Sequence, residues 1–94
     1  MNRITESDLH KTVDRINRTT GSPLATYTKS ADGKYTPNIG NYHLDSAYGG
    51  WKLVRMVGKT GGISSITDGF VPKRELYDRM HVFLKGLESS KGAQ

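Results

Sequence analysis

There is no cysteine in this 94-residue chain. Disulfides, thiolate nucleophiles and cysteine-ligated zinc are therefore excluded, which suits a reducing cytoplasm. No apolar run approaches the roughly 18 residues that span a bilayer, so no membrane association is expected. The opening residues, MNRITESDL, lack the apolar stretch of a secretory signal, and a cytoplasmic location follows as the expectation. Apolar residues are scarce, at 34% of the chain, whereas eleven glycines make it rich in turns. The three histidines, His10, His43 and His81, fall in no metal-ligand spacing, and neither a metal nor a cofactor is expected. The glycine pairs Gly49-Gly50 and Gly61-Gly62 are not followed by a Lys-Ser/Thr pair opening a helix, so they make no P-loop. A strand pattern follows them, which also excludes the dinucleotide-binding fingerprint.

What is present is best read outward from Asn41 to Met56, NYHLDSAYGGWKLVRM. It holds the only Trp and two of the five Tyr. Gly49-Gly50 accepts the positive φ angles of a two-residue turn, so two strands are predicted around it. With that turn, Tyr48 faces Trp51, Ser46 faces Leu53 and Leu44 faces Arg55. Tyr42, Leu44, Tyr48, Trp51, Leu53 and Val57 then form the core face. The other face is mixed, available to a covering element or to a partner. Ile63–Thr67 is the expected third strand, ended by Asp68-Gly69.

Two helices flank this sheet. Over residues 4–20, Thr5 and Asp8 approximate a capping box, with Ile4 and Leu9 as the hydrophobic staple. Leu9, Val13 and Ile16 recur at i, i+4 and i+7 as a core stripe. Gly21 is placed for a left-handed terminus, and Pro23 prevents continuation. The second helix is predicted from Pro72, at its first position, to about Glu88. Leu76, Met80, Phe83, Leu84 and Leu87 form its apolar face. Between the first helix and the sheet, residues 24–39 alternate small or β-branched residues with Tyr27 and Tyr35 on either side of Asp32-Gly33. They read as a protruding flap hairpin whose second arm Pro37 limits.

The expected architecture is a single α+β domain over residues 1–88, a two-layer sandwich of helices on a three-stranded antiparallel sheet, with 89–94 as a disordered tail.

The formal charge of +5 favours polyanionic partners or acidic protein surfaces. Lys11, Arg15 and Arg18 form a basic stripe at i, i+4 and i+7. It is either an ordinary solvated face, with Asp14 pairing to Arg18, or a binding surface. Lys73-Arg74 opens the second helix, where free N–H groups and the positive dipole end already favour an anion. Basic residues there are unfavourable to the helix itself, although Glu75 softens the effect. His43 with Asp45, on one strand face, could be drawn as an acid–base pair or as half a metal site. No nucleophile or third ligand accompanies them, so catalysis is not expected.

In its order of elements, with Lys73-Arg74 opening the last helix, the chain is similar to the double-stranded RNA-binding domain. In that family the first helix and a strand loop touch minor grooves while lysines of the second helix grip phosphates. The family's Lys-Lys-x-Ala-Lys signature is absent from TDGFVPKRELYDRM, so the resemblance implies the fold more than the activity.

GNYHLDSAYGGWKLVRM, then Gly61-Gly62-Ile63, then FVPKRELYDRMHVFLKGLE, resembles a group of small accessory proteins encoded by tailed phages and prophages. The likeness runs from the first helix through Leu87. It implies a phage-encoded, cytoplasmic, non-virion protein of a bacterial host cell. Such proteins bind and inhibit or divert host complexes, including defence complexes such as CRISPR effectors. The resemblance carries over no functional residues.

The expectation is thus a binding protein, not an enzyme, whose partner is a host protein or nucleoprotein complex. Lys11, Arg15, Arg18, Lys73 and Arg74 are the candidates for contact with nucleic acid or an acidic partner. Tyr27, Tyr35 and Tyr48 are the candidates for protein contact. Direct nucleic-acid binding through the basic residues is the alternative.

Overall fold

A computed structural model of the chain describes residues 3–92. The first helix, α1 (Glu6–Thr20), starts where Thr5 and Asp8 close a reciprocal capping box: the Thr5 N–H donates to the Asp8 carboxylate at 2.9 Å, and the Asp8 N–H donates to Thr5 Oγ1 at 3.2 Å. It stops at Gly21, whose φ of 70° is the left-handed conformation foreseen for it. Leu9, Val13 and Ile16 are buried as their spacing predicts.

The flap follows as a separate two-stranded sheet, β1 (Tyr27–Lys29) against β2 (Tyr35–Pro37), almost wholly exposed. Pro37 is its last residue, paired with Tyr27. Within its turn the Asp32 carboxylate accepts from Ser30 and from the Lys34 N–H, and these bonds hold its pKa below the ordinary 3.8.

The main sheet comprises β3 (Tyr42–Ala47), β4 (Gly50–Met56) and β5 (Ile63–Ser65), antiparallel in the order β3-β4-β5. The turn joining β3 to β4 is Tyr48-Gly49, with φ of 54° and 75°, one residue earlier than Gly49-Gly50. The register therefore differs by two residues from the expectation: Ser46 faces Trp51, Leu44 faces Leu53 and Tyr42 faces Arg55. A two-residue shift preserves the faces because side chains alternate with period two. Tyr42, Leu44, Trp51 and Leu53 thus still point at the helices. Tyr48 and Val57, expected in that core, are exposed instead, the first in the turn and the second beyond the end of β4.

The opposite face is not bare. Val54 and Met56 are fully buried there, outside the helix-packed cluster. Beside them Asn41, also fully buried, donates its amide to the Pro23 carbonyl at 2.7 Å, tying the sheet to the segment that leads into the flap.

After Ser65 the chain leaves β4, then returns so that Val71 exchanges two backbone hydrogen bonds with Trp51, at 2.8 and 2.9 Å. The intervening bulge is tied down at three points. The Ile66 N–H donates to the Leu53 carbonyl, Leu53 N–H donates to Thr67 Oγ1, and Arg79 donates to the Asp68 carbonyl.

The last helix, α2 (Lys73–Gly92), begins one residue after the expected start. Pro72 stands outside it and supplies the carbonyl that accepts from the Leu76 N–H. At its other end α2 runs past Glu88 to Gly92, so Ser89–Gly92, expected as the start of a disordered tail, are helical. The remainder of that tail lies outside the described residues. Leu76, Met80 and Leu84 pack against Leu9, Val13, Ile16, Tyr42 and Leu53, with Phe83 and Leu87 at the margin. Full burial of such side chains contributes about 1.5–3 kcal/mol each. The molecule is a small α+β domain with both helices on one face of the sheet. Among the described residues, no helix is long and apolar enough to cross a membrane.

Candidate functional site

The β3–β4 turn carries the most exposed aromatic group of the molecule. Tyr48 is 99% exposed, although it occupies a left-handed backbone conformation that costs an L-residue about 1–2 kcal/mol. Asn, Asp or Gly would fill that position at less cost. The Tyr48 ring lies edge-on to Phe70, with centroids 6.0 Å apart and planes at 69°. Phe70 is fixed in turn by the Val71–Trp51 bridge and by the close approach of Gly50. A Cβ on Gly50 would stand 2.8 Å from the Phe70 carbonyl carbon.

Two lysines border these rings. Lys52 Nζ lies 4.6 Å from the Phe70 centroid and donates to Ser65 Oγ at 3.0 Å. Lys73, in the first turn of α2, places Nζ 6.0 Å from the ring of Trp51, whose indole is half-buried against the core. Such cation–π contacts are worth about 0.5–1 kcal/mol at exposed sites, enough to orient an ammonium without neutralising it. Beside Tyr48 a concavity of about 320 Å³ is lined by Ser46, Ala47, Gly49, Gly50 and Trp51. One end of the sheet thus combines a projecting tyrosine, a hollow beside it with an indole in its wall, and two oriented positive charges.

The basic residues singled out in the sequence are distributed over the molecule. Lys73 belongs to the sheet-end surface. Arg74, next to it, approaches Asp78 at 3.9 Å. Lys11 and Arg15 open on a groove between α1 and α2, and Arg15 reaches Glu88 at 2.8 Å. Arg18 is in the last turn of α1, where a positive charge complements the helix dipole. Among the described residues no ion pair joins it to Asp14, the pairing expected of a solvated face.

The three tyrosines do not share a surface. Tyr27 and Tyr35 are 47% and 65% exposed on the flap. The Tyr27 hydroxyl lies 3.8 Å from where a Cβ on Gly61 would be, in the β4–β5 connection. That is the opposite end of β4 from Tyr48. Lys29 sits over Tyr35, Nζ to centroid 5.8 Å.

Phe70 and Lys52 escaped the sequence reading. Phe70 is one of only two phenylalanines and follows Asp68-Gly69 directly. A bulky apolar residue between a turn signal and Val71-Pro72 was the available hint.

His43 is half-buried, and its Nδ1 lies 3.2 Å from Asn41 Oδ1. Burial pushes its pKa below the ordinary 6.5, opposed by the hydrogen bond to Asn41 and the charge of Asp45. The Asp45 carboxylate itself accepts from the Ser46 N–H. Among the described residues, no group of three or more His, Cys, Asp or Glu side chains could hold a metal ion.

Comparison with known proteins finds no family model, no curated protein and no solved structure that matches the chain.

Proposed function

We propose that this protein acts by binding, without catalysis, and that it docks the Tyr48–Phe70 end of its sheet on an acidic surface of a host macromolecular complex. The observation that carries the reading is Tyr48: fully solvated, in a conformation that other residues adopt at lower cost, and propped by Phe70. Strain held at an exposed aromatic side chain is characteristic of recognition sites. Tyrosine is among the residues in which binding hot spots are enriched, and the hollow beside it can receive a partner's side chain. Lys52 and Lys73 supply the charge that steers an acidic partner and fixes its orientation. The setting comes from the resemblance to phage and prophage accessory proteins. On that reading the chain works in the cytoplasm of a bacterial host, where it inhibits or diverts a host complex, an anti-defence inhibitor of the anti-CRISPR kind being the foremost case.

Direct nucleic-acid binding is the second reading, favoured by one observation: aromatic rings bordered by lysines also make a platform on which bases stack. One experiment separates the two. Tagged protein is used to capture host complexes with and without nuclease treatment. In parallel, its affinity for labelled duplex and single strands is measured at two salt concentrations. Docking on protein requires capture that survives nuclease and fails with Tyr48→Ala, together with weak binding to naked nucleic acid. Steeply salt-dependent binding to naked strands, lost when Lys52 and Lys73 are both changed to Gln, would overturn it in favour of the second reading.

A further inference from the structure

Between the two helices lies a groove of about 190 Å³ that takes no part in the sheet-end surface. It is lined by Asp8, Lys11, Thr12 and Arg15 of α1 and by Tyr77 and His81 of α2. The His81 ring packs against Tyr77, centroids 4.3 Å apart. Its Nε2 is buried and has no hydrogen-bond partner, alone among the side-chain nitrogens and oxygens of the described residues. A buried polar atom without a partner is costly and uncommon in folded proteins, and a bound ion or water is a usual remedy. The other donors of the groove are not spent. No ion pair engages Lys11 among the described residues, and Arg15 gives one terminal nitrogen to Glu88 while keeping its further N–H groups.

We infer that this groove binds inorganic phosphate, with Lys11 and Arg15 as donors and with His81 as the third once its ring turns to bring the shielded Nε2–H to the groove. Asp8 narrows the ligand to that species. Its two bonds from Thr5 both end on Oδ2, leaving Oδ1 as an acceptor. An ionised carboxylate repels an oxyanion that has lost every proton, but accepts a hydrogen bond from one that retains a proton. At neutral pH inorganic phosphate keeps a P–OH and sulfate does not. A phosphodiester has no P–OH at all, and a phosphate monoester, with a second pKa of about 6, has largely lost its own. The nucleic-acid backbone and phosphorylated side chains are therefore the poorer ligands here.

The test is an NMR titration of the intact protein at neutral pH with sodium phosphate, sodium sulfate and methyl phosphate in separate arms, ionic strength held with sodium chloride. Phosphate should give saturable shifts of the Thr12, Arg15 and His81 amides and of the His81 imidazole. Sulfate and methyl phosphate should bind about tenfold more weakly, the loss expected of one charge-assisted hydrogen bond. Lys11→Gln, an exposed change that leaves the helix intact, should weaken phosphate by about tenfold. His81→Phe keeps the ring beside Tyr77 and should abolish saturation. If His81→Phe fails to fold, Lys11→Gln decides. Shifts that rise linearly with phosphate and are matched by chloride would overturn the site, as would saturation unchanged in Lys11→Gln. Methyl phosphate binding as tightly as phosphate would overturn the role of Asp8 and the assignment to the free anion.

Discussion

Asn17 of α1 pairs with the backbone of Tyr42 of β3 as a neighbouring strand would. Its Nδ2 donates to the Tyr42 carbonyl at 3.0 Å, and its Oδ1 accepts from the Tyr42 N–H at 2.8 Å. Both residues are buried, so the side-chain amide satisfies two groups at the outer edge of the sheet that water does not reach. Asn17→Ala should therefore destabilise the protein by about 2–4 kcal/mol, since two buried backbone groups lose partners at about 1–3 kcal/mol each. Urea unfolding measures it. A shift below about 1 kcal/mol would mean that water enters and replaces the amide.

Asp8 predicts an acid-side loss of stability. The Thr5 backbone bond, then the Thr5 hydroxyl, hold its pKa below the ordinary 3.8, with Lys11 adding a smaller pull. A carboxyl group whose folded pKa is depressed stabilises the fold above the unfolded value. It loses that contribution as pH falls through the folded one. The melting temperature should therefore drop below about pH 4, the ordinary carboxylate range, and drop less in Asp8→Asn, which has no charge to lose. Melts at pH 6 and pH 3 decide it: equal drops in the two proteins would show that other carboxylates, such as Asp32, govern the acid limb.

Much of the fold was legible because its signals are local. Thr5, Asp8 and Gly21 bound α1 through contacts within one turn of helix, and the stripes of Leu9–Ile16 and Leu76–Leu84 identify their own buried faces. The strand register was harder to read, since both Gly49 and Gly50 answer the description of a turn residue. Only one of them is glycine for its φ; the other makes room for Phe70, twenty positions later, and nothing near Gly50 announces that contact. The sheet-end surface was hidden for the same reason. Tyr48, Phe70, Lys52 and Lys73 meet only because Val71 returns to pair with Trp51. The groove between the helices likewise joins residues such as Asp8 and His81 that are far apart in sequence.

Gly50→Ala tests that second use of glycine. The added methyl would stand 2.8 Å from the Phe70 carbonyl carbon, 2.9 Å from its Cβ and 3.0 Å from the Val71 nitrogen. Two of these are backbone atoms, so the Val71–Trp51 bridge must shift. The expected cost is about 1–3 kcal/mol, the range for overpacking. Near-UV circular dichroism should report a changed environment for Trp51. Gly49→Ala, with open space around it but a φ of 75°, should be destabilised through strain alone and leave the Trp51 signal unchanged.

Tyr48→Gly separates recognition from folding, because its stability terms oppose one another. Glycine relieves a left-handed conformation costing about 1–2 kcal/mol, at an entropic expense of about 0.5–1 kcal/mol. Loss of the edge-on pair with Phe70 removes about 0.5–1.5 kcal/mol, toward the lower end for so exposed a ring. The net change in unfolding free energy should lie within about 0.5 kcal/mol of zero, whereas affinity for a captured host complex should fall by a hot-spot amount of about 2 kcal/mol or more, some thirtyfold. Urea melts and a binding isotherm on the same protein preparation measure the two quantities. A loss of about 2 kcal/mol in stability would instead make Tyr48 part of what holds the turn together, and its exposure would no longer argue for a partner.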